Sequence, residues 1–252
     1  MNGPTLSVLG TATPFPTPGN PCSGYLLLLG NDSLCIDAGT GTFAELQRYV
    51  ALEELSAIWI SHLHADHFSD MPIVFYAYAF GSITRNRKLP VAGPPGWPQR
   101  VSSFVASNEI HTMSDFFDVH EIGINDIDRV GEITLRSQLL QHNIDSYGLR
   151  VEAANRSMAY SGDTGPCQEL VELADGVDLL LCEVGSDELA DRKGTIHCAP
   201  EEAGQMATAA HVQRLMLTHI SRSLEPQHAI ERAAEFFSGP ITVAIPGSTF
   251  TI

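Results

Sequence analysis

Cations are scarce in this chain: 14 Lys and Arg stand against 30 Asp and Glu, for a formal net charge of −16. A molecule this acidic repels polyanions, so broad binding to nucleic acid or to an anionic membrane is disfavoured unless bound cations offset the field locally. The plainer consequence of the charge is solubility. Cysteine is sparse as well. Cys22, Cys35, Cys167, Cys182 and Cys198 are odd in number and scattered, with no C-x-x-C pair. That argues against a disulfide framework and for reduced thiols in a cytoplasmic protein. MNGPTLSVLG has neither a basic n-region nor a long apolar h-region, so no signal peptide is expected. Apolar runs long enough to cross a bilayer are absent too; YLLLLG is far too short. Nor does any low-complexity segment or linker divide the chain, and residues 1–252, 44% hydrophobic, are expected to form a single domain.

What is present is a series of short apolar runs. LSVLG (6–10) leads into a Pro/Gly-rich loop, and YLLLL (25–29) faces SLCIDAG (33–39) across the turn signal Gly30-Asn31-Asp32. FAELQRYVAL (43–52) has helical spacing, AIWIS (57–61) reads as a buried strand, and a helix is expected from Asp66 through DHFSDMPIVFYAYAF. The aromatics at 75–80 in that helix suit a core or a subunit contact. Residues 101–156 read mostly as short strands and turns. Beyond them come MAYSGD (158–163), a helix over CQELVELA, the strand DLLLCE (178–183), a helix from Pro200, the strand RLMLTHI (214–220), a helix over EPQHAIERAAEFF and a closing strand ITVAI (241–245). Strands in series followed by strand–helix alternation predict an α/β layered architecture, with sheets inside and helices outside.

The chemistry concentrates in ISHLHADHFSD (60–70), where His62, His64, Asp66 and His67 crowd the end of AIWI. Imidazole and carboxylate are preferred ligands of zinc and similar ions. In H-x-H-x-D-H the two leading histidines sit on one side of an extended or tight loop, and Asp66 and His67, displaced from them, can face a second ion. Two such sites about 3.5–4 Å apart hold a water between two Lewis acids and lower its pKa. One cluster cannot saturate two ions, and other strand ends offer His142, Asp163 and His219.

S-H-x-H-x-D-H, a later single His, S-G-D-T and L-T-H together resemble the five-motif pattern of the metallo-β-lactamase superfamily, in particular its branch of tRNA 3′-end-processing nucleases and related phosphodiesterases. LGTATPFPTPGNPCSGYLL, VAGPPG and IHCAPEEAGQMA resemble further segments of that branch, so the similarity runs from about residue 6 to 222. The resemblance implies a four-layer αββα sandwich and two divalent ions, expected to be zinc, although manganese and iron accept the same ligands. It implies that His62, His64 and His142 bind one ion, that Asp66, His67 and His219 bind the other, and that Asp163 bridges them. Asp37 would support the site from behind. Asp66 would also accept a proton from the bridging water, which acts as nucleophile. Glu183 would orient His197, which stabilises or protonates the leaving oxygen; the bland alternatives are a solvent-facing carboxylate and a residue leading into a helix. His111, His120, His211 and His228 fit no ligand pattern and are expected at the surface.

The chain also departs from that branch. Twenty residues separate His142 from Asp163, too few for the protruding arm of the tRNA-processing members, and Gly19 stands where they tend to have arginine. Ala199 occupies a place that in the family often holds Thr or Ser, and it cannot cap a helix with a side-chain oxygen. A folded tRNA is therefore not the expected substrate. A small phosphodiester, cyclic or modified, is the leading expectation. The same metal site acting on an ester, thioester or lactone is the second, and a non-catalytic metal-binding scaffold the third. The resemblance also implies a homodimer.

Overall fold

The computed structural model describes residues 3–105, 112–189 and 195–252. Along the chain, β1 (Thr5–Gly10), β2 (Gly24–Leu29), β3 (Asp32–Ile36), β4 (Ala57–Trp59), β5 (Leu89–Gly93) and β6 (Phe117–Glu121) are followed by β7 (Ile127–Val130), β8 (Ile133–Leu139), β9 (Tyr147–Ala153), β10 (Arg156–Tyr160), β11 (Leu179–Glu183), β12 (Leu215–Thr218), β13 (Ile241–Val243) and β14 (Thr249–Thr251). They form two seven-stranded sheets, ordered β14-β1-β2-β3-β4-β5-β6 and β13-β12-β11-β10-β9-β8-β7. Both sheets are mixed: β3 to β6 and β10 to β13 run parallel, while the hairpins at β1–β2–β3 and β7–β8–β9–β10 are antiparallel. The apolar runs AIW, LLLCE and LMLT lie in the parallel parts, covered on both faces, which is why they show no polar alternation.

Three cores separate four layers. Tyr25, Leu27 and Trp59 of the first sheet meet Leu149, Tyr160 and Leu181 of the second in a shared interior. The outer face of the first sheet packs on α1 (Thr42–Leu46), α2 (Ala65–Phe68), α3 (Met71–Phe80), α4 (Trp97–Phe104) and the neighbouring α5 (Met113–Phe116). That of the second packs on α6 (Gln168–Leu173), α7 (Pro200–Ala209) and α8 (Pro226–Ala234). The αββα sandwich expected from the resemblance is the architecture found. None of its helices is long and apolar enough to cross a membrane, among the described residues.

Several elements differ from their sequence reading. FAELQRYVAL is helical only to Leu46, because the chain then turns to offer the Leu52 carbonyl to the Tyr78 hydroxyl (2.6 Å) and the Arg85 guanidinium (2.9 Å). The helix expected from Asp66 is two helices. Asp70 ends the first by accepting the amides of Gly41 and Phe43 (2.9 Å each), and Pro72, which lacks a donor, opens the second. In residues 101–156, α4 and α5 add helix to the expected strands. Closure of the first sheet falls to β14, which pairs with β1 and was not foreseen. Residues 143–162 hold β9, a tight turn at Ala154 and Asn155 (φ 50 and 60) and β10, a hairpin with no arm.

Candidate metal centre

The site is built at strand ends. Asp37 follows β3, His62 and His64 follow β4, and α2 carries Asp66 and His67. Asp163, Glu183 and His219 stand at the carboxyl ends of the adjacent parallel strands β10, β11 and β12. Two glycines permit the close approach. A Cβ on Gly39 would strike the Asp66 carbonyl oxygen, and Gly162, at φ +54, turns the chain so that Asp163 faces inward.

All seven expected donors converge. His62, His64, His142 and Asp163 form one group of mutually close ligand atoms, and Asp66, His67 and His219 form another. Nε2 of His142 lies 3.2 Å from Nδ1 of His64, and Nε2 of His62 lies 3.5 Å from Asp163. Nε2 of His219 lies 3.2 Å from Asp66 and 3.4 Å from Asp163. Donors around a tetrahedral zinc with bonds near 2.0–2.1 Å are separated by about 3.4 Å, so these spacings suit a cation between them. The chemistry of the donors agrees. Nε2 of His62, Nε2 of His67 and Oδ1 of Asp163 are buried without a hydrogen-bond partner, although the last two lie 3.1 Å apart. Buried polar atoms left without a partner, as Nε2 of His62 is, are costly unless something positive sits beside them.

Outward ring nitrogens fix three of the imidazoles. His67 Nδ1 bonds Asp37 at 2.7 Å, His142 Nδ1 bonds the Ile196 carbonyl at 2.8 Å, and His62 Nδ1 meets the Ser61 hydroxyl at 3.0 Å. Asp37, fully buried, also accepts from the Ser61 amide (2.7 Å), the Ser61 hydroxyl (2.9 Å) and the Tyr160 hydroxyl (2.7 Å). Such outer partners select the tautomer that leaves the inner nitrogen free. Ser61 and Tyr160 were not singled out in the sequence. Ser61 begins the quoted motif, but nothing in the spacing marks Tyr160.

Electrostatics divide the cluster. Burial pushes His62 and His64 below the usual imidazole range and His142 down to about 4, so these rings are neutral donors. Burial also works against a charged His67, but the carboxylates of Asp163 and Asp37 outweigh it and hold a proton there. Asp163 and Asp66 stay ionised. Burial opposes this in both, and the surrounding histidines reverse it. A divalent cation satisfies the same carboxylates that otherwise retain the proton.

Beside this cluster lies a second unit. Glu183 is fully buried at the end of β11, which removes the solvent-facing alternative. Its carboxylate accepts from the amides of Thr164 (3.0 Å) and Gly185 (2.5 Å) and from Nδ1 of His197 (2.9 Å). Burial disfavours the imidazolium, yet the hydrogen bond and charge of Glu183 carry His197 up to about 9. His197 also stands near Asp163 and His219 as a third group with ligand spacing. Its Nδ1 is the atom 4.0 Å from Asp163, and Glu183 already engages it, so His197 is not counted with the donors. Ala199 supplies no hydroxyl cap, but the Glu202 carboxylate accepts the Ala199 amide at 2.8 Å, the other half of a capping box. Of the remaining histidines, His120, His211 and His228 are exposed, His120 bonded to Asp126 at 2.6 Å; His111 lies outside the described residues.

Comparison with known proteins agrees with this geometry. The β-lactamase superfamily domain matches residues 33–220. The chain belongs to the β-lactamase superfamily. It is a metallo-hydrolase of that superfamily, with the metallo-β-lactamase fold. The Mycobacterium tuberculosis protein Rv1339 is 35% identical over 98% of this chain and 92% of its own length. Ribonuclease Z of Myxococcus xanthus is 28% identical, covering 97% of this chain and 96% of that one. The crystal structure of YhfI from Bacillus subtilis, a metallo-β-lactamase fold protein, superposes with a TM-score of 0.86 at 25% identity over 99% of both chains.

Proposed function

We propose that this metallo-hydrolase cleaves a small phosphodiester of nucleotide type, cyclic or modified, with two divalent cations, zinc by preference. His62, His64 and His142 would hold one cation and Asp66, His67 and His219 the other, with Asp163 shared between them. When bound, such a pair polarises the phosphoryl oxygens and lowers the pKa of a water held between them. The chain's own groups do the rest. Asp66, an ionised carboxylate bonded to Thr13 at 3.1 Å, accepts the proton of the attacking water. As the water oxygen bonds to phosphorus and the ester P–O bond breaks, His197 gives its Nε2 proton to the departing oxygen, while Glu183 holds Nδ1.

The observation that carries this reading is the Glu183–His197 pair. An alkoxide leaves poorly without a proton donor, and a buried carboxylate keeps this imidazole protonated beside the donor cluster. The absence of an arm between β9 and β10 and the net charge of −16 support a small-molecule substrate over a folded tRNA. Five free cysteines favour the cytoplasm, and the apolar face of α3 supports a homodimer.

The test offers the metal-loaded protein bis(p-nitrophenyl) phosphate, a p-nitrophenyl carboxylic ester and an acyl thioester. Preference for the phosphate is expected; p-nitrophenolate departs without a proton donor, so the role of His197 is read on a 3′,5′-cyclic nucleotide, where kcat should fall by about 10²-fold or more in His197→Ala at unchanged metal content. Ester or thioester turnover indifferent to that substitution would transfer the site to acyl chemistry. No turnover of any of the three with metal bound would leave a scaffold.

A further inference from the structure

We propose that the groove at the carboxyl end of β13 seats the nucleobase of the substrate, with Arg222, backed by the Phe15 ring, as one wall; this rests on the phosphodiesterase reading above. Four neighbouring parallel strands point their carboxyl ends the same way. Three of them deliver Asp163, Glu183 and His219, whereas β13 runs into Ala244-Ile245-Pro246, which carries no titratable group. Ligands of parallel sheets bind outside such strand ends. Catalytic groups at three ends and an apolar surface at the fourth therefore separate a reacting centre from a place for the rest of the molecule.

A cavity of about 810 Å³ opens there, a size usual for small-molecule sites. Its inner end is formed by His219 and by Thr13, which bonds Asp66 at 3.1 Å, so it meets the donor cluster directly. Ile220, Ile230, Val243 and Ala244 make its body apolar. At the mouth the guanidinium of Arg222 lies 4.4 Å from the centroid of the Phe15 ring, and Phe15 is 52% exposed. Other arginines are tied down: Arg85 bonds two backbone carbonyls, Arg156 pairs with Asp178 and Arg232 with Glu201. Arg222 pairs with no carboxylate among the described residues, in a chain where acidic groups are the majority.

A planar guanidinium stacked on an arene presents flat, weakly hydrated surface, which is what a nucleobase packs against. An edge donor is at hand. Asn20 lines the groove with its amide fixed on Thr11, accepting the Thr11 amide at 2.9 Å and donating to its hydroxyl at 3.2 Å, and its second N–H remains for a base edge. The larger cavity, about 1060 Å³ around Asp32, Glu53 and Arg85, includes none of the donor residues and does not serve this reaction.

Thymidine 5′-(p-nitrophenyl phosphate) and methyl p-nitrophenyl phosphate share a leaving group and differ in the nucleoside. The wild-type protein is expected to favour the thymidine ester in kcat/KM by about tenfold or more. Val243→Trp, which fills the groove, and Ile245→Glu, an exposed position that adds charge to it, should each lower that ratio about tenfold through the KM of the thymidine ester. Arg222→Ala should act in the same direction. A wild-type ratio near one, or a ratio unmoved in all three variants, would overturn the groove while leaving phosphodiester hydrolysis standing. If neither ester is cleaved, calorimetric titration of thymidine 5′-monophosphate into the zinc-loaded protein decides. Binding weakened in Ile245→Glu upholds the groove and removes the phosphodiesterase reading, and equal binding in wild type and variant removes the groove.

Discussion

Each imidazole with a fixed outward bond in the donor cluster is oriented by the nitrogen that faces away from it, so the cost of ordering the ligands is met before a cation arrives. Asp37 matters most in this respect, because it accepts four hydrogen bonds, including that of His67 Nδ1 at 2.7 Å. In Asp37→Asn the zinc affinity should fall by about 10–100-fold, measured by competition with a chromogenic chelator; unaltered affinity would remove Asp37 from the site's support. Gly185 serves the other unit. A Cβ there would lie 2.8 Å from Nδ1 of His197 and 3.1 Å from Glu183 Oε2. Gly185→Ala should therefore cost about 10-fold or more in kcat on a 3′,5′-cyclic nucleotide, whose departing alkoxide needs a proton, with metal content retained, and loss of metal instead would mean the strand end itself had moved. At this scale the sequence was legible where ligands were contiguous or ended an apolar run, as with His62 to His67, Asp163 and His219. It was silent on Tyr160, whose hydroxyl reaches Asp37 across 123 residues of chain, since a lone tyrosine in a buried strand looks like any other core residue.

Elements were legible in their apolar cores and illegible at their ends. FAELQRYVAL has helical periodicity to its last residue, yet tertiary bonds to Leu52 override it after Leu46. β14 was missed because TFT is too short to show a period, and its pairing with β1 is non-local. The approach to β11 offers a test with a defined sign. Asp178 accepts from the Ser157 amide at 2.8 Å and pairs with Arg156 at 2.8 Å, joining the start of β10 to the start of β11. Partial burial raises its pKa, but these donors more than reverse that and depress it below the usual carboxylate value. A group with a depressed folded pKa contributes stability that is present above its unfolded pKa of about 3.9 and lost as pH falls through the folded value. Asp178→Asn should therefore lower Tm near neutrality and narrow the Tm difference between neutral and strongly acidic solution. An unchanged difference would show that this carboxylate takes no part in acid unfolding.

The two sheets of the whole molecule share one interior, and the donor set draws on both of them, so the site exists only when the sandwich is assembled. The acidic surface tunes what approaches it, and the cationic exceptions are local. One outer face is unlike the rest. α3 consists of MPIVFYAYAF, with Ile73 51% and Phe80 50% exposed, although a helix apolar on all sides is ordinarily covered. A second copy is the proposed cover. Sedimentation equilibrium should then give a dimer for the wild-type protein and a monomer for Phe80→Glu, and a wild-type monomer would refute it. The resemblance was informative at this scale because its motifs mark the carboxyl ends of strands in both sheets, which fixes how the sheets face each other. The pocket walls were not legible, being built from loops and from β13, whose residues carry no chemical signature. Metal content tests the whole arrangement most directly. Anomalous diffraction at the zinc edge, on protein loaded and then dialysed against metal-free buffer, should show two peaks per chain. One should lie among His62, His64 and His142 and the other among Asp66, His67 and His219, each touching Asp163. A map with no peak there, or with His142, Asp163 and His219 turned away from the histidine-rich loop, would contradict it.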